Sequence, residues 1–438
     1  MTLNQQREDS SSRLQEILRS NRLSGRGGVY AVCSAHPAVI EAAVQQSVKD
    51  GALLLVESTS SQVNQFGGYT GMNPSQFANF VQSAAKSVRL PANRVVLGAD
   101  HSGPFPWRHE ASSSAIEKAQ TLVRDCVTAG YQKIHLDASM ACGDDGGSLT
   151  EKTVADRAAI LCQAAEEAYR KLPSGSPQLV YVVGTEVPAP GGESVDVHTP
   201  VVTKAEDAHR TLEAFRHAFT ERGLSSAWER VIALVVQPGV DFGSNSIFDY
   251  DRAKAHSLSA ALSKHPGIVF EAHSTDYQSP QALARMVEDH FAILKVGPWL
   301  TFAFREAVLA LSAIERELFT NRSGRQLSNV REALEAAMLR NPANWQSYYH
   351  GAEDEVRRDL IYGFSDRCRY YWNQPEVQKE LAQLFDNLGS SQIPLTLVSQ
   401  YLPLEYEAIR AGQLQAVSEQ MISHHIQRVL HVYADACR

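Results

Sequence analysis

The 438-residue chain has little of what marks several specialised classes of protein. Its six cysteines, Cys33, Cys126, Cys142, Cys162, Cys368 and Cys437, are scattered and include no C-x-x-C pair. That spacing argues against a zinc ribbon or a disulfide framework and fits a reducing compartment, the cytoplasm. No run approaches the roughly 18 apolar residues a bilayer-spanning helix needs, so no membrane partner is expected. The polar N-terminal stretch MTLNQQREDSSSRLQEILRSNRLSGRGG has no apolar signal core. Lys and Arg number 41 against 49 Asp and Glu, so no basic face points to nucleic acid. No G-x-G-x-x-G follows the first apolar run and no G-x-x-x-x-G-K-[ST] occurs anywhere. A dinucleotide fold and a P-loop therefore gain no support, and no nucleotide cofactor is expected.

What is present is an ample supply of core material, with 44% hydrophobic residues. Eight short apolar runs recur: 29–34, 52–57, 94–99, 133–138, 179–185, 231–237, 267–272 and 291–296. Most are continuous rather than alternating, as expected of strands covered on both faces. Helix-like segments lie between them, at 38–50, 113–129, 153–171, 204–222 and 250–264. Eight strand–helix repeats predict a (β/α)8 barrel over 29–316; a doubly wound open sheet, usually of five or six strands, is the competitor. Residues 1 to about 10 read as disordered, and a short helix with Leu14, Ile17 and Leu18 on one side completes 1–28. From 317 to 438 the pattern becomes helical, an extension packed on the barrel or covering its mouth. His424 and His425 lie in its last helix and read as surface residues.

Barrel enzymes work at the C-terminal ends of their strands. There this sequence offers Glu57 with Asn64 and Gln65 following, then Asp100-His101, His135 with Asp137, Glu186, Glu271 with His273 and Asp276, and Lys295. Each alone has an ordinary reading as a cap or loop residue. Together, so many carboxylates at one mouth would repel unless compensated. A divalent cation with histidine co-ligands is the simplest compensator; protonated histidines or Lys295 with nearby arginines are the alternative. His101, Glu186 and His273 give two nitrogens and one carboxylate with an open position, a catalytic metal pattern, with zinc favoured and magnesium or manganese as alternatives. Glu271 or Asp137 could stand in for Glu186. Asp100 would be the general base, with Glu271 or Glu186 acting on the opposite face. Glu57, Asn64, Gln65, His135, Asp137, Asp276 and Lys295 would line the substrate. Gly98 and Gly103 are expected to allow a tight turn beside Asp100. Lys295 also stands where Schiff-base lysines occur, a reading the acid-rich mouth disfavours.

The strings VCSAHP, NQFGGYTGM, GADHSGP, KIHLDASM, GTEVPAPGG, VVQPGV, EAHSTDYQ, DHFAILKVGP, SDRCRYYW and SQYLP span about Tyr30 to Tyr433. They resemble the Z-type subunit of D-tagatose-1,6-bisphosphate aldolase, the GatZ/KbaZ family. The resemblance implies a barrel of the class II aldolase type and a subunit role in tagatose phosphate catabolism. It also implies a Y-type catalytic subunit as partner, whose activity and stability members of this family support without being catalytic. Some relatives are labelled tagatose-6-phosphate kinases, and others are reported to epimerise ketohexose phosphates at carbon 4. Against class II aldolases, Asp100-His101 matches their Asp-His pair and His273 their last metal histidine, while Glu186 replaces another. Their Gly-rich phosphate loop is replaced by Ser274, Thr275 and Asp276, a carboxylate that would repel phosphate. Two classes of function follow: the expectation is a supporting subunit of the aldolase system, with a metal-dependent epimerase or lyase acting on a sugar phosphate as the alternative. Self-association is left open.

Overall fold

The computed structural model describes residues 9–184, 200–320, 325–389 and 392–438. All eight apolar runs form parallel strands: β1 (Val29–Val32), β2 (Leu54–Thr59), β3 (Val95–Asp100), β4 (Lys133–His135), β5 (Val180–Val183) and β6 (Val231–Val236), then β9 (Val269–Ala272) and β10 (Phe291–Val296). Between β6 and β9 the chain makes a two-residue-per-strand antiparallel hairpin, β7 (Asp241–Phe242) and β8 (Ile247–Phe248). The eight parallel strands close on themselves, β1 pairing with both β2 and β10. This is the (β/α)8 barrel expected.

Strand geometry sorts the side chains. Alternate residues such as Ala31, Leu55, Val96, Val182, Val235 and Ile293 point inward and form one apolar cluster. The helix Ser10–Ser24 closes the floor of that cluster with Leu14 and Leu18. This helix starts inside the stretch expected to be disordered. Asp9 explains the start, because its carboxylate accepts from Ser12 N–H at 2.8 Å and caps the helix. Residues 1–8 lie outside the described residues. The other strand faces, including Tyr30, Val56 and Leu97, pack under the surrounding helices.

After β10 the helix Pro298–Phe319 runs on, and further helices follow from Val330. The last, Ser418–Ala436, returns to pack against Pro37–Asp50, Pro280–Glu288 and Pro298–Phe319. It fills the outer ring beside β1. His424 and His425 are therefore half-buried and paired rather than free on the surface. Both Nδ1 atoms bond Glu405 Oε1, at 3.0 and 3.1 Å, and His425 Nε2 reaches Glu306 at 3.3 Å.

This cluster predicts a pH dependence. Burial opposes a charge on His425, but its bonds to Glu306 and Glu405 outweigh that and raise it to about 9. Burial likewise opposes ionisation of Glu405, yet the two histidines draw it down to about 2. The His425 contribution is complete below its unfolded value near 6.5 and lost as pH rises through about 9. The Glu405 contribution is complete above 4.5 and lost as pH falls through about 2. Urea unfolding should show stability from this cluster peaking between pH 4.5 and 6.5. His425→Gln should remove the alkaline fall, which is on the order of 2–3 kcal/mol; an unchanged alkaline limb would count against the cluster.

Candidate active site

Inside the barrel, one level above the apolar layers, lies a layer of charge. Lys133 Nζ sits 2.6 Å from Glu57 Oε1 and 2.7 Å from Glu271 Oε2, with all three side chains fully buried. Lys295 bonds Glu57 Oε2 and stands 2.8 Å from Asp100 Oδ1 and 3.5 Å from Glu271 Oε1. Gly98 makes this layer possible. It lies within β3, and a Cβ there would fall 2.7 Å from Glu57 Cγ. Its missing side chain supplies room for Glu57, not the turn expected from sequence.

Lys133 was not among the strand-end residues that the sequence singled out. Burial disfavours its charge, but Glu271 and Glu57 more than compensate, so its pKa is raised. Lys295 is likewise raised well above the ordinary lysine value, by Asp100, Glu57 and Glu271 against burial. A lysine held protonated by carboxylates is a poor imine former.

Above this layer the histidines meet. The imidazole centres of His101, His135 and His273 lie 5.0, 4.9 and 5.4 Å apart. Two of them sit at strand ends whose next residues take the left-handed backbone region: His101 itself has φ 45° and Ser274 has φ 51°. Non-glycine residues seldom adopt it, and such strain concentrates at functional sites. His101 Nδ1 bonds Asp137 Oδ2 at 2.7 Å, leaving Nε2 directed toward Asp100 Oδ2 at 4.0 Å. His273 Nε2 bonds Glu271 Oε1 at 3.0 Å. His135 Nδ1 lies 3.2 Å from Asp100 Oδ1, and its Nε2 is buried without a hydrogen-bond partner.

The electrostatics follow from an excess of acid. Four carboxylates, Glu57, Asp100, Asp137 and Glu271, face two ammonium groups. Burial disfavours ionisation of Asp100, but Lys295 and His101 hold it well below the usual carboxylate range. His101 is raised despite burial, by Asp100 and Asp137. His273 is lowered to about 3, chiefly by burial.

These residues fit a divalent metal. One donor atom each from Asp100, His101, His135 and His273 falls within 4.8 Å of all the others. The 4.0 Å gap between His101 Nε2 and Asp100 Oδ2 is too long for a hydrogen bond and no longer than two metal bonds of about 2.0–2.2 Å reach. The orphaned His135 Nε2 is a donor or acceptor in need of a partner. The hydrogen bonds of His101 to Asp137 and His273 to Glu271 are the orienting contacts that metal-binding histidines make. A second group, Cys33, Glu57 and Asp100, also converges, but burial keeps the Cys33 thiol protonated and Glu57 is committed to two lysines.

A cavity of about 580 Å³ opens above the cluster. Asp100, His101, His273, Asp276 and Lys295 line it, as does Asn64. Asn64 mainly shapes its own loop, accepting from Phe66 N–H and Gly68 N–H. Gln65 turns to the carbonyl of Lys118 at 3.0 Å and is not in the lining. Asp276 Oδ1 accepts from Gly297 N–H at 3.0 Å and Trp299 N–H at 2.8 Å, so it caps the helix Pro298–Phe319. Glu271 and Glu57 lie beneath the cavity. Glu186 lies outside the described residues. The opposite wall, absent from the sequence expectations, carries Arg108, Tyr348, Arg367, Arg369 and Tyr370. The only local signal for it was the arginine–aromatic string SDRCRYYW.

The crystal structure of a "probable tagatose 6 phosphate kinase" from Sinorhizobium meliloti 1021 is 42% identical, covers 94% of this chain and 100% of its own, and superposes with a TM-score of 0.85. Two aldolases resemble it much more loosely. The YdjI aldolase of Escherichia coli K12 is 10% identical over 86% of this chain and 96% of its own, with a TM-score of 0.41. A fructose-bisphosphate aldolase from Campylobacter jejuni is 12% identical over 87% and 94%, with a TM-score of 0.43. Residues 14–438 match one family, and the chain belongs to it: the D-tagatose-1,6-bisphosphate aldolase subunit GatZ/KbaZ-like family.

Proposed function

We propose that this chain is itself a metal-assisted sugar-phosphate enzyme, acting beside the carbonyl of a ketohexose phosphate as an epimerase or lyase. The observation that carries this reading is the buried donor set of Asp100, His101, His135 and His273, with an unpartnered His135 Nε2, at the floor of a ligand-sized cavity. Nitrogen-rich donors suit zinc better than the oxygen-seeking magnesium or manganese. A divalent cation held by Asp100, His101, His135 and His273 would supply Lewis-acid polarisation of a ketose carbonyl.

The chain's own groups divide the remaining work. The ion pair with Lys295 keeps Asp100 ionised, which suits a ligand better than a base. Glu271, fully buried, orients His273 and balances Lys133. Proton transfer falls to Asp276, which lines the cavity. Burial raises its carboxyl to about 6 against the pull of the Gly297 and Trp299 amides. A group titrating there can both take and give a proton near neutrality.

A second reading, support of a Y-type catalytic subunit, is favoured by the same Asp276. Its carboxylate fills the helix N-terminus where a second phosphate of a bisphosphate could otherwise bind. The described cysteines are all free, in keeping with a cytoplasmic location for either role.

Elemental analysis of the purified chain and of His135→Ala tests the choice. The first reading expects a stoichiometric divalent metal in the wild type, lost in the variant, and turnover of ketohexose phosphates without a partner that a chelator abolishes. No metal after addition of zinc, manganese or magnesium, and activity only with the Y-type subunit, would leave the supporting role.

A further inference from the structure

The cavity has two walls of opposite character. Its floor is the carboxylate–imidazole cluster. Its outer wall is cationic and comes mostly from the 3-10 turn Arg367–Tyr370, some seventy positions beyond β10. Arg108 adds to it from the loop after β3.

These guanidinium groups are fixed in place. Arg369 donates through Nη1 to the carbonyls of Ser365 at 2.5 Å and Asp366 at 2.9 Å, and through Nη2 to the Tyr370 hydroxyl at 3.0 Å. Arg367 stacks on Tyr348, 3.6 Å from the ring centre, and donates to Asn344 O at 2.5 Å. Arg108 stacks on Phe105 at 4.5 Å. Among the described residues, neither Arg108 nor Arg369 makes an ion pair with a carboxylate; the nearby Asp366 is taken up by Arg305 at 3.7 Å. The Asp366 and Asp276 carboxylates lie close enough to feel the charge of Arg369, but neither pairs with it directly, and cations in a cavity wall attract an anion. Their field is visible on Tyr370, whose phenol is lowered from its usual value by Arg367 and Arg369 although burial opposes this.

The barrel's own place for an anion is closed. The amides at the start of the helix Pro298–Phe319 already hold the Asp276 carboxylate. An anionic ligand end must therefore turn to the arginine wall. Guanidiniums held on aromatic faces are pre-organised for phosphate, and Arg369 keeps Nε and one Nη2 hydrogen outside its bonds to Ser365, Asp366 and Tyr370.

We infer that Arg108 and Arg369, with Arg367 beside them, form the subsite for the phosphate monoester of the substrate, whose reacting end reaches the histidine cluster. The inference rests on the sugar-phosphate reading of this cavity. It divides phosphate recognition between the helical extension, through Arg367 and Arg369, and the loop after β3, through Arg108, and leaves chemistry to the strand ends of the barrel.

Calorimetric titration of the full chain, stripped of metal by a chelator, tests it with three probes: inorganic phosphate, a ketohexose 6-phosphate and the same sugar without phosphate. Arg108→Gln and Arg369→Gln should each weaken the two phosphate-bearing probes roughly ten- to hundredfold and leave the free sugar unchanged. Arg369 also ties down its own turn, so its variant could lose fold as well as charge. Arg108, bonded only within its loop, provides the independent variant, and circular dichroism checks both. No loss, equal loss for both sugars, or a hexuronate held as tightly as the phosphate through the same arginines would overturn the inference. Metal content separates it from the catalytic reading. A chain without metal whose phosphate affinity depends on Arg108 and Arg369 keeps the subsite and loses the catalysis. A metal-loaded, active chain whose KM for the phosphate sugar ignores both arginines does the reverse.

Discussion

Lys133→Met will destabilise the folded chain by about 3–5 kcal/mol, the cost of leaving buried charges unpaired. Lys133 bridges Glu57 and Glu271 at 2.6 and 2.7 Å in a layer with no access to water. Methionine has nearly the same volume, so little of the loss would come from a cavity. It would come from two carboxylates left with Lys295 as their remaining ammonium partner. Equilibrium urea denaturation would show the loss as a lower midpoint with an unchanged slope. Adding Glu271→Gln should restore part of it, since one of the stranded charges is then removed. A single variant as stable as wild type would mean that the interior layer is not ionised.

Gly103→Ala will damage stability and site together. A Cβ at Gly103 would lie 1.5 Å from the carbonyl oxygen of Asp137. That neighbour is backbone and cannot rotate away, so the loop itself must move. Overpacking usually costs about 1–3 kcal/mol, and a backbone clash belongs at the upper end. The displaced loop carries His101, whose ring bonds Asp137 at 2.7 Å, and Ser102, whose N–H donates to His135 O at 3.0 Å. Calorimetry should therefore show a lower melting temperature and, on the metal-site reading proposed above, elemental analysis less bound divalent metal than in the wild type. Wild-type values for both would contradict this account of the loop.

The strands were legible because parallel strands covered on both sides must be apolar along their whole length. The convergence of Asp100, His101, His135 and His273 was legible for a related reason: eight parallel strands deliver their C-terminal ends to one face. Lys133 was hidden by barrel stagger. It opens its strand in sequence, yet Gly98 pairs with both Glu57 and Lys133, which brings Lys133 level with residues at the ends of β2 and β9. The role of Gly98 was hidden with it, since only the path of the Glu57 side chain reveals why no Cβ fits. Arg108 and Arg369 share a wall while lying far apart in the chain, a juxtaposition no local pattern encodes. The pairing of His425 was hidden for the same reason, because its carboxylates come from residues 306 and 405.

The placement of the helix Ser418–Ala436 carries a consequence for synthesis. It covers the flank of the barrel where β1 and β10 meet, and its Tyr433 hydroxyl donates to Thr275 O at 2.7 Å beside the cavity. Ser418 follows Val296 by 122 positions. At about 5–20 residues per second, a ribosome needs roughly 6–24 s to cross that interval. During that time the eight strands are complete but their seam is bare, with apolar residues such as Tyr30 and Leu300 lacking their cover. The nascent barrel therefore carries an exposed apolar strip open to misassociation until the last helix seals the seam.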